Sequence, residues 1–316
     1  MRERKLNKVL DFLNHSIEGA VLVTGGHGIG KSWFLEQIAL RCSGTVVTIS
    51  ASPNEIELPL SGISTFLTAV DINEIAEYYD TLEAVSSNAG DIRVFAEKLL
   101  ARLRNSELEA RVILIDDLDG FDELSQEVLA FVFRRLGGTA LRVVASVSTR
   151  PPSTLFTGLQ SVTLSRLKRQ DLERVIIETI DGPCAAAVIC SVSTIAEGRP
   201  GVALALTTSL TREQLAGRDP LPLPYVIAAP RSQRILSELP RVSEREWAIL
   251  SAVSTAVGVA QSTLESLYPG SGSDVLGLID KEVLVRTASL VCFRLRYVRA
   301  AVYSTLEPCA RGPLCR

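Results

Sequence analysis

The sequence predicts an α/β fold with a doubly wound parallel sheet, followed by a helical lid and a winged-helix-like domain. Up to residue 165, short apolar β-branched runs alternate with amphipathic helical patterns, which is typical of parallel strands joined by helices. From 166 to 218 the pattern is helical only, without an intervening strand. From 219 to 316, further helical patterns precede two apolar runs, 283–286 and 290–293, that could pair as a hairpin. We therefore expect three domains: 1–165, 166–218 and 219–316.

A glycine-rich segment lies between the first predicted strand, 20–24, and the amphipathic helix that follows it. Its sequence is Gly25-Gly26-His27-Gly28-Ile29-Gly30-Lys31-Ser32, which matches the P-loop pattern G-x-x-x-x-G-K-[ST] at every fixed position. A glycine-lined loop can bring several backbone N–H groups close to a phosphate. Lys31 would meet the β- and γ-phosphates, and Ser32 would offer a hydroxyl to Mg²⁺. We therefore expect the nucleotide-binding residues to run from Gly25 to Trp33.

A second landmark is the continuous apolar run 111–115, which ends in Asp116 and Asp117. Such a run suits a central parallel strand buried on both faces, and open α/β sheets bind ligands at the carboxyl ends of their strands. We interpret the pair as a Walker B motif, in which Asp116 holds Mg²⁺ and Asp117 polarises the attacking water. An acidic turn after a strand is the alternative, but the intact P-loop upstream favours the Walker B interpretation.

The strand predicted at 141–147 leads into Ser148-Thr149-Arg150-Pro151. An arginine at this end of the sheet would lie beside the γ-phosphate, so Arg150 is a candidate sensor and catalytic residue alongside Lys31 and Asp117. The alternative is an arginine that is simply solvated before a Pro-Pro turn.

Composition disfavours several other classes of protein. The net charge of −3 gives no general attraction to nucleic acids or anionic membranes. The six cysteines form no C-x-x-C pair and only two histidines are available, so we expect no zinc site. We interpret the cysteines as small buried residues whose thiols stay reduced in the cytosol. No apolar run approaches the ~18–20 residues of a membrane span, so we expect a cytoplasmic protein without a membrane partner.

Several segments, taken together and in order, resemble one family: GGHGIGKS, VILIDDLDGFDELS, ASVSTRPP, LSRLKRQDLE, AEGRPG and FRLRYVRAAVYSTL. They are similar to the ATPase core of the large ATP-binding LuxR-type transcriptional regulators, which belong to the STAND class of AAA+-related ATPases. The resemblance implies a switch that binds ATP between the sheet and the helical lid, with Arg150 as sensor and Pro200 against the adenine. Because family members continue into helical repeats and a DNA-binding domain, it also implies a core that stops before that output domain.

Functions of different classes remain open at this point. The first is an ATP-binding, slowly hydrolysing switch related to transcriptional regulators, with ATP or ADP and Mg²⁺ as ligands and a second copy or a regulatory protein as partner. The second is a protein- or DNA-interaction module with a structural, non-hydrolysed nucleotide. In such a module Arg294, Arg296 and Arg299 could contact the phosphate backbone of DNA. Direct DNA binding is nevertheless expected to be weak at most. A small-molecule kinase is disfavoured, since no candidate base other than Asp117 is present.

Overall fold

The computed structural model describes residues 2–51, 56–72, 89–105, 111–148 and 155–306. The chain divides into two compact units. The first comprises Met1–Gly26 and Gly30–Ser165, and the second comprises His27–Ile29 and Arg166–Arg316.

The first unit is built on a five-stranded parallel sheet with flanking helices. The strand order is β2-β3-β4-β1-β5, and every pairing is parallel. This arrangement confirms the α/β fold predicted from the alternating pattern. The strands are β1 (Ala20–Thr24), β2 (Thr45–Ser50), β3 (Arg111–Asp116), β4 (Leu141–Val147) and β5 (Gln160–Thr163). The helices are α1 (Arg2–His15), α2 (Lys31–Ala39), α3 (Ser61–Ala69), α4 (Ala89–Asn105) and α5 (Glu123–Phe133), and a 3₁₀ turn at Leu118–Gly120 follows β3.

Helices cover both faces of this sheet because alternate residues of each strand point to opposite sides. Leu22, Ile113 and Val143 belong to one apolar cluster with residues of α3, α4 and α5. Helix α2 contacts β3 and β4, and α1 packs against α2. Burial on both sides explains why most residues of β1, β3 and β4 are apolar, whereas the edge strand β2 is only partly buried.

The register of the central strands aligns their carboxyl ends. Ala145 of β4 lies opposite Ile115 of β3 on one side and opposite Leu22 of β1 on the other. Because neighbouring strands are about 4.8 Å apart, β1 and β3 lie roughly 10 Å from each other, with β4 between them. Loops that leave these three strands therefore start within a short distance of one another.

A single carboxylate, Asp122, caps two helices of the first unit. It is 4% exposed. Its Oδ1 accepts the N–H groups of Leu60 at 2.8 Å and Ser125 at 2.9 Å. Its Oδ2 accepts the N–H of Gly62 at 3.1 Å and the hydroxyl of Ser61 at 3.3 Å. Negative charge at helix N-termini is stabilising, so Asp122 holds the starts of α3 and α5 together just downstream of the predicted Walker B acids.

The second unit is mainly helical. Its helices are α6 (Arg169–Thr179), α7 (Ala186–Ala196), α8 (Pro200–Thr207), α9 (Arg212–Leu215), α10 (Ala229–Leu236), α11 (Glu244–Ser254), α12 (Gln261–Leu267), α13 (Gly272–Asp280) and α14 (Arg296–Thr305). The spacing Ser243-x-x-Glu246 predicts a capping box at the start of α11, and the structure confirms it. A small antiparallel sheet, ordered β6-β8-β7, contains β6 (Val259–Ala260), β7 (Leu284–Thr287) and β8 (Leu290–Phe293), which confirms the predicted hairpin. One apolar cluster extends from Leu172 to Val302.

Two sequence patterns of this unit predict elements that differ in detail from the structure. The pattern of 259–267 predicts a helix, but the helix begins only at Gln261, because Val259 and Ala260 pair with Val291 and Leu290 as a short strand. The proline and charge content of 212–230 predicts a linker. This segment instead opens with helix α9, whose Thr211–Gln214 capping box satisfies the first backbone donors.

The expectation of buried thiols was also wrong. Of the four cysteines in the described ranges, Cys190 is exposed, and Cys42, Cys184 and Cys292 are partly buried. Cys309 and Cys315 lie outside those ranges. Among the described residues, no helix has both the length and the apolar character needed to cross a bilayer.

The substitution Asp122→Ala is expected to lower the free energy of unfolding of the first unit by about 3 kcal/mol or more. Hydrogen bonds to a charged group contribute roughly 1.5–3 kcal/mol each, and the buried amides of Leu60 and Gly62 would lose their acceptor. Chemical denaturation followed by far-UV circular dichroism measures the loss. Glu123→Ala, which removes the adjacent exposed acid, serves as the control and should change stability by less than ~1 kcal/mol. Equal effects of the two substitutions would contradict the capping role.

Candidate nucleotide-binding site

The predicted P-loop connects β1 to α2, which begins at Lys31. Gly28 and Gly30 have φ values of +67° and +93°, a left-handed conformation that favours glycine. The N–H of Gly25 donates to the carbonyl of Val147 at 3.3 Å, which attaches the start of the loop to the carboxyl end of β4. The strand–loop–helix order expected from the sequence is therefore present.

Lys31 is a buried cation without an anionic partner among the described residues. It is 8% exposed, and its Nζ donates to the carbonyl oxygen of Gly25 at 3.1 Å. Burying a charge is unfavourable unless it is paired, and one neutral carbonyl compensates an ammonium only in part. The environment of Lys31 therefore suits an anionic ligand such as a phosphate group.

Ser32 and Trp33, the next two predicted nucleotide-binding residues, are exposed in the first turn of α2. The Trp33 side chain is 46% exposed, and the Arg2 guanidinium lies 5.8 Å from the centre of its ring. Burial lowers the pKa of Arg2 from its usual value. The exposed hydroxyl of Ser32 remains accessible to a metal ion.

The two predicted Walker B acids are connected through one serine on the neighbouring strand. Asp116 ends β3, and its Oδ1 accepts the hydroxyl of Ser146 at 2.7 Å. Asp117 follows in a left-handed conformation, with φ 53° and ψ 53°, and its N–H donates to Ser146 Oγ at 2.8 Å. The role of Ser146 was not predicted from the sequence, in which the available signal is a polar residue within the apolar run 143–147 of β4.

The carboxyl end of β4 connects the P-loop to the acids. On one side, Val147 accepts the N–H of Gly25. On the other side, Ser146 binds Asp116, and the N–H of Ser148 donates to Asp119 Oδ2 at 3.1 Å. Gly25 and the metal-binding candidate Asp116 are thus attached to adjacent residues of one strand. Arg150 lies outside the described residues, and its sensor role stays a prediction.

Loop residues His27–Ile29 belong to the second unit, where both backbone groups of His27 are bonded. Its N–H donates to Glu238 Oε1 at 2.6 Å, and its carbonyl oxygen accepts from Arg199 Nη1 at 2.5 Å. The carbonyl of Gly28 accepts the N–H of Gly201 at 2.8 Å. The apex of the P-loop is therefore held by one acidic side chain and by the start of α8.

The predicted adenine contact, Pro200, is the first residue of α8, a position that tolerates proline. The preceding residue, Arg199, is 9% exposed and stacks 4.9 Å from the centre of the Tyr297 ring. Burial raises the pKa of the Tyr297 phenol, and the Arg199 charge opposes this shift. The sequence predicted the turn at Pro200 but not the roles of Arg199 and Tyr297, since their partners are distant in the chain.

Within the described ranges, no group of three or more histidine, cysteine, aspartate or glutamate side chains is placed to hold a metal ion. The hydroxyl of Ser32 and the carboxylate of Asp116 are hard oxygen donors of the kind that Mg²⁺ takes. Mg²⁺ usually binds through one or two protein oxygens together with substrate phosphates and waters. The residues present therefore fit a magnesium–nucleotide complex better than a metal held by protein alone.

Comparison with protein families supports this interpretation of the first unit. Residues 1–144 match the family described as AAA ATPase domain. The matched residues include the P-loop and the two predicted Walker B acids, so this part of the chain is similar to AAA ATPase domains. None of the curated proteins compared with the chain matches it significantly.

Several solved structures are similar to this chain but share little sequence with it. A Walker-type ATPase of Pyrococcus abyssi is 16% identical, over 96% of this chain and 95% of that chain, with a TM-score of 0.45. A STAND protein with a tetratricopeptide repeat sensor from Pyrococcus horikoshii is 16% identical with a TM-score of 0.42, over 98% of this chain but only 43% of that protein. Drosophila ORC bound to DNA is 14% identical, over 96% of this chain and 86% of that chain, with a TM-score of 0.47.

The substitution Gly28→Ala is expected to lower both thermal stability and ATP uptake. An added Cβ would lie 2.9 Å from Val202 Cγ2, and the left-handed backbone costs a non-glycine residue about 1–2 kcal/mol. Gly138→Ala is the control, because Gly138 also has a positive φ, +82°, but its added Cβ would meet no atom within 4 Å. Differential scanning fluorimetry and calorimetric ATP titration measure the two effects. Losses of the same size in both variants would show that close packing at the loop apex is unimportant.

Proposed function

We propose that the chain is an ATP-binding molecular switch that hydrolyses ATP slowly and is related to the LuxR-type STAND regulators. The observation that carries this proposal is the buried ammonium of Lys31, which lacks a carboxylate partner among the described residues. Its loop begins at Gly25, which is bonded to the same end of β4 that holds Asp116 and Asp117. A cation and two acids at one sheet edge suit a triphosphate and its magnesium ion.

Each predicted site residue has a defined role in this proposal. The backbone of Gly25–Trp33 and the ammonium of Lys31 bind the phosphates, and Pro200 lies against the adenine. Ser32 and Asp116 hold Mg²⁺, which neutralises charge on the β- and γ-phosphates when it is bound. Asp117 polarises the attacking water, and Arg150 senses the γ-phosphate.

The second unit reports the state of the nucleotide in this proposal. From α11 to β8 its elements follow the order helix, strand, two helices, two strands, which supports the winged-helix-like interpretation. Helix α13, before the hairpin, contains Asp274 and Asp280 but no basic residue. Arg294 pairs with Glu282 at 2.6 Å.

This distribution of charge favours a protein partner, either a regulatory protein or a second copy of the chain, over direct DNA binding. Arg299, another candidate phosphate contact, donates to the carbonyl of Ser254 at 3.0 Å and is partly buried. Burial lowers its pKa. A cytoplasmic location is part of the same proposal.

The substitution Asp117→Asn is expected to preserve ATP binding and to reduce turnover by about 10²–10⁴-fold, the usual contribution of general base catalysis. Phosphate release under single-turnover conditions and calorimetric ATP titration measure the two quantities. Glu123→Gln, at an exposed acid in the first turn of α5, is the control and should leave both unchanged.

Other results would favour other functions. Tight nucleotide binding without turnover in the unchanged protein would favour the interaction module with a structural nucleotide. Transfer of the phosphoryl group to an added metabolite would indicate a kinase. Failure of the unchanged protein to take up either ATP or ADP would exclude every nucleotide-dependent role.

A further inference from the structure

We propose that Ser146 is a positioning residue for both predicted Walker B acids. This inference rests on the proposed function, which assigns the metal ion to Asp116 and the attacking water to Asp117. The Ser146 hydroxyl lies between Asp116 and Asp117 and bonds to each of them. Through these two bonds Ser146 orients the metal-binding carboxylate and fixes the backbone that carries the water-polarising carboxylate.

The direction of both hydrogen bonds follows from the groups involved. An ionised carboxylate can only accept, so the Ser146 hydroxyl donates to Asp116 Oδ1 at 2.7 Å. A backbone N–H can only donate, so Asp117 N donates to Ser146 Oγ at 2.8 Å. Because a hydroxyl has a single proton, this pair of bonds fixes its rotation. Ser146 therefore has one orientation, set by the two acids together.

Burial makes these bonds difficult to replace. Ser146 has no exposed surface and lies on β4, which is hydrogen-bonded to β1 on one side and β3 on the other. Without the hydroxyl, the N–H of Asp117 and one oxygen of Asp116, both on partly buried residues, would each lose a hydrogen-bond partner. Loss of these bonds is unfavourable, so the two acids would move to find other partners.

For Asp116 the bond determines which oxygen is available to a metal. Oδ1 is occupied by Ser146, whereas Oδ2 makes no hydrogen bond within the described part of the chain. Hydrogen bonds to a ligating carboxylate fix its orientation, and their loss typically lowers metal affinity or activity 10- to 100-fold. Ser146 therefore directs Oδ2 toward the metal position.

For Asp117 the bond stabilises an uncommon backbone conformation. A non-glycine residue with φ 53° and ψ 53° lies in the left-handed region, which surrounding contacts must stabilise. The N–H of Asp117 is the group that Ser146 holds. The direction in which the Asp117 side chain leaves the backbone thus depends on the same hydroxyl.

The experiment compares Ser146→Ala with Ser146→Thr, which retains the hydroxyl, and with Ser125→Ala. Ser125 is the matched control, because it is another buried serine of the first unit and its hydroxyl accepts a backbone N–H, that of Ile63 at 2.9 Å. ATP affinity is measured by calorimetry in EDTA and in Mg²⁺, and Mn²⁺ binding to the ATP complex is measured by electron paramagnetic resonance. Turnover is then measured as a function of Mg²⁺ concentration.

For Ser146→Ala we expect ATP affinity in EDTA within about twofold of the unchanged protein. Mn²⁺ affinity and turnover should each fall by about 10- to 100-fold, with a matching rise in the Mg²⁺ concentration for half-maximal turnover. Ser146→Thr should restore most of the metal affinity. Ser125→Ala should lower the melting temperature without changing the metal dependence.

A double-mutant cycle covers the case in which the added methyl of Ser146→Thr disturbs the buried strand. In an Asp116→Asn background, Ser146→Ala should reduce Mn²⁺ affinity by less than twofold, because the group that it positions is already changed. Unchanged Mn²⁺ affinity in Ser146→Ala, or full additivity in the cycle, would overturn this inference and leave the proposed function intact. Failure of the unchanged protein to bind ATP would overturn both.

Discussion

The arrangement of the candidate site depends on the parallel hydrogen-bonded ladder between β4 and its two neighbours. This ladder places Ala145 level with Ile115 and with Leu22, so three strand ends finish at one edge of the sheet. The P-loop leaves one of these ends and the two acids leave another. A shift of one residue in either pairing would turn the side chains of a strand to the opposite face and would move the start of the P-loop relative to the two acids. The apolar side chains on both faces of β1, β3 and β4 oppose such a shift, because it would expose them or bury polar groups in their place.

Three buried charged side chains of the protein are compensated to different degrees. Asp122 accepts hydrogen bonds at both oxygens and acts as a structural cap. Lys31 is equally inaccessible but has one neutral carbonyl as its hydrogen-bond partner. Arg199 stacks on an aromatic ring and donates to a backbone carbonyl, and its Nε, which is buried, has no hydrogen-bond partner within the described ranges. A fully bonded charge such as Asp122 stabilises the fold, whereas a buried cation such as Lys31, with one neutral partner, suits an anionic ligand.

Sequence patterns predicted the elements of this protein better than the contacts between them. The apolar runs that became β1, β3 and β4 were recognisable because a strand buried on both faces needs no polar positions. The P-loop and the capping box at Ser243 were recognisable because each is a local motif. Strand β6 was missed because its two residues are stabilised by partners more than 30 positions further along the chain. Ser146 was missed for a similar reason, since a serine within a strand carries no sign of the acids that it contacts on the neighbouring strand.

The position of β1 in the sheet has a consequence for biosynthesis. Within the described sheet, this strand is bonded only to β4 and β5, and the pairing of Ala20 with Val143 joins residues that are far apart in the chain. Strands β2 and β3, which pair with each other, are both translated before β4. In a nascent chain on the ribosome, the strand that precedes the P-loop therefore has no neighbour in the sheet until residues 141–147 have left the exit tunnel. The start of this loop is fixed to the sheet only when that late strand pairs with β1.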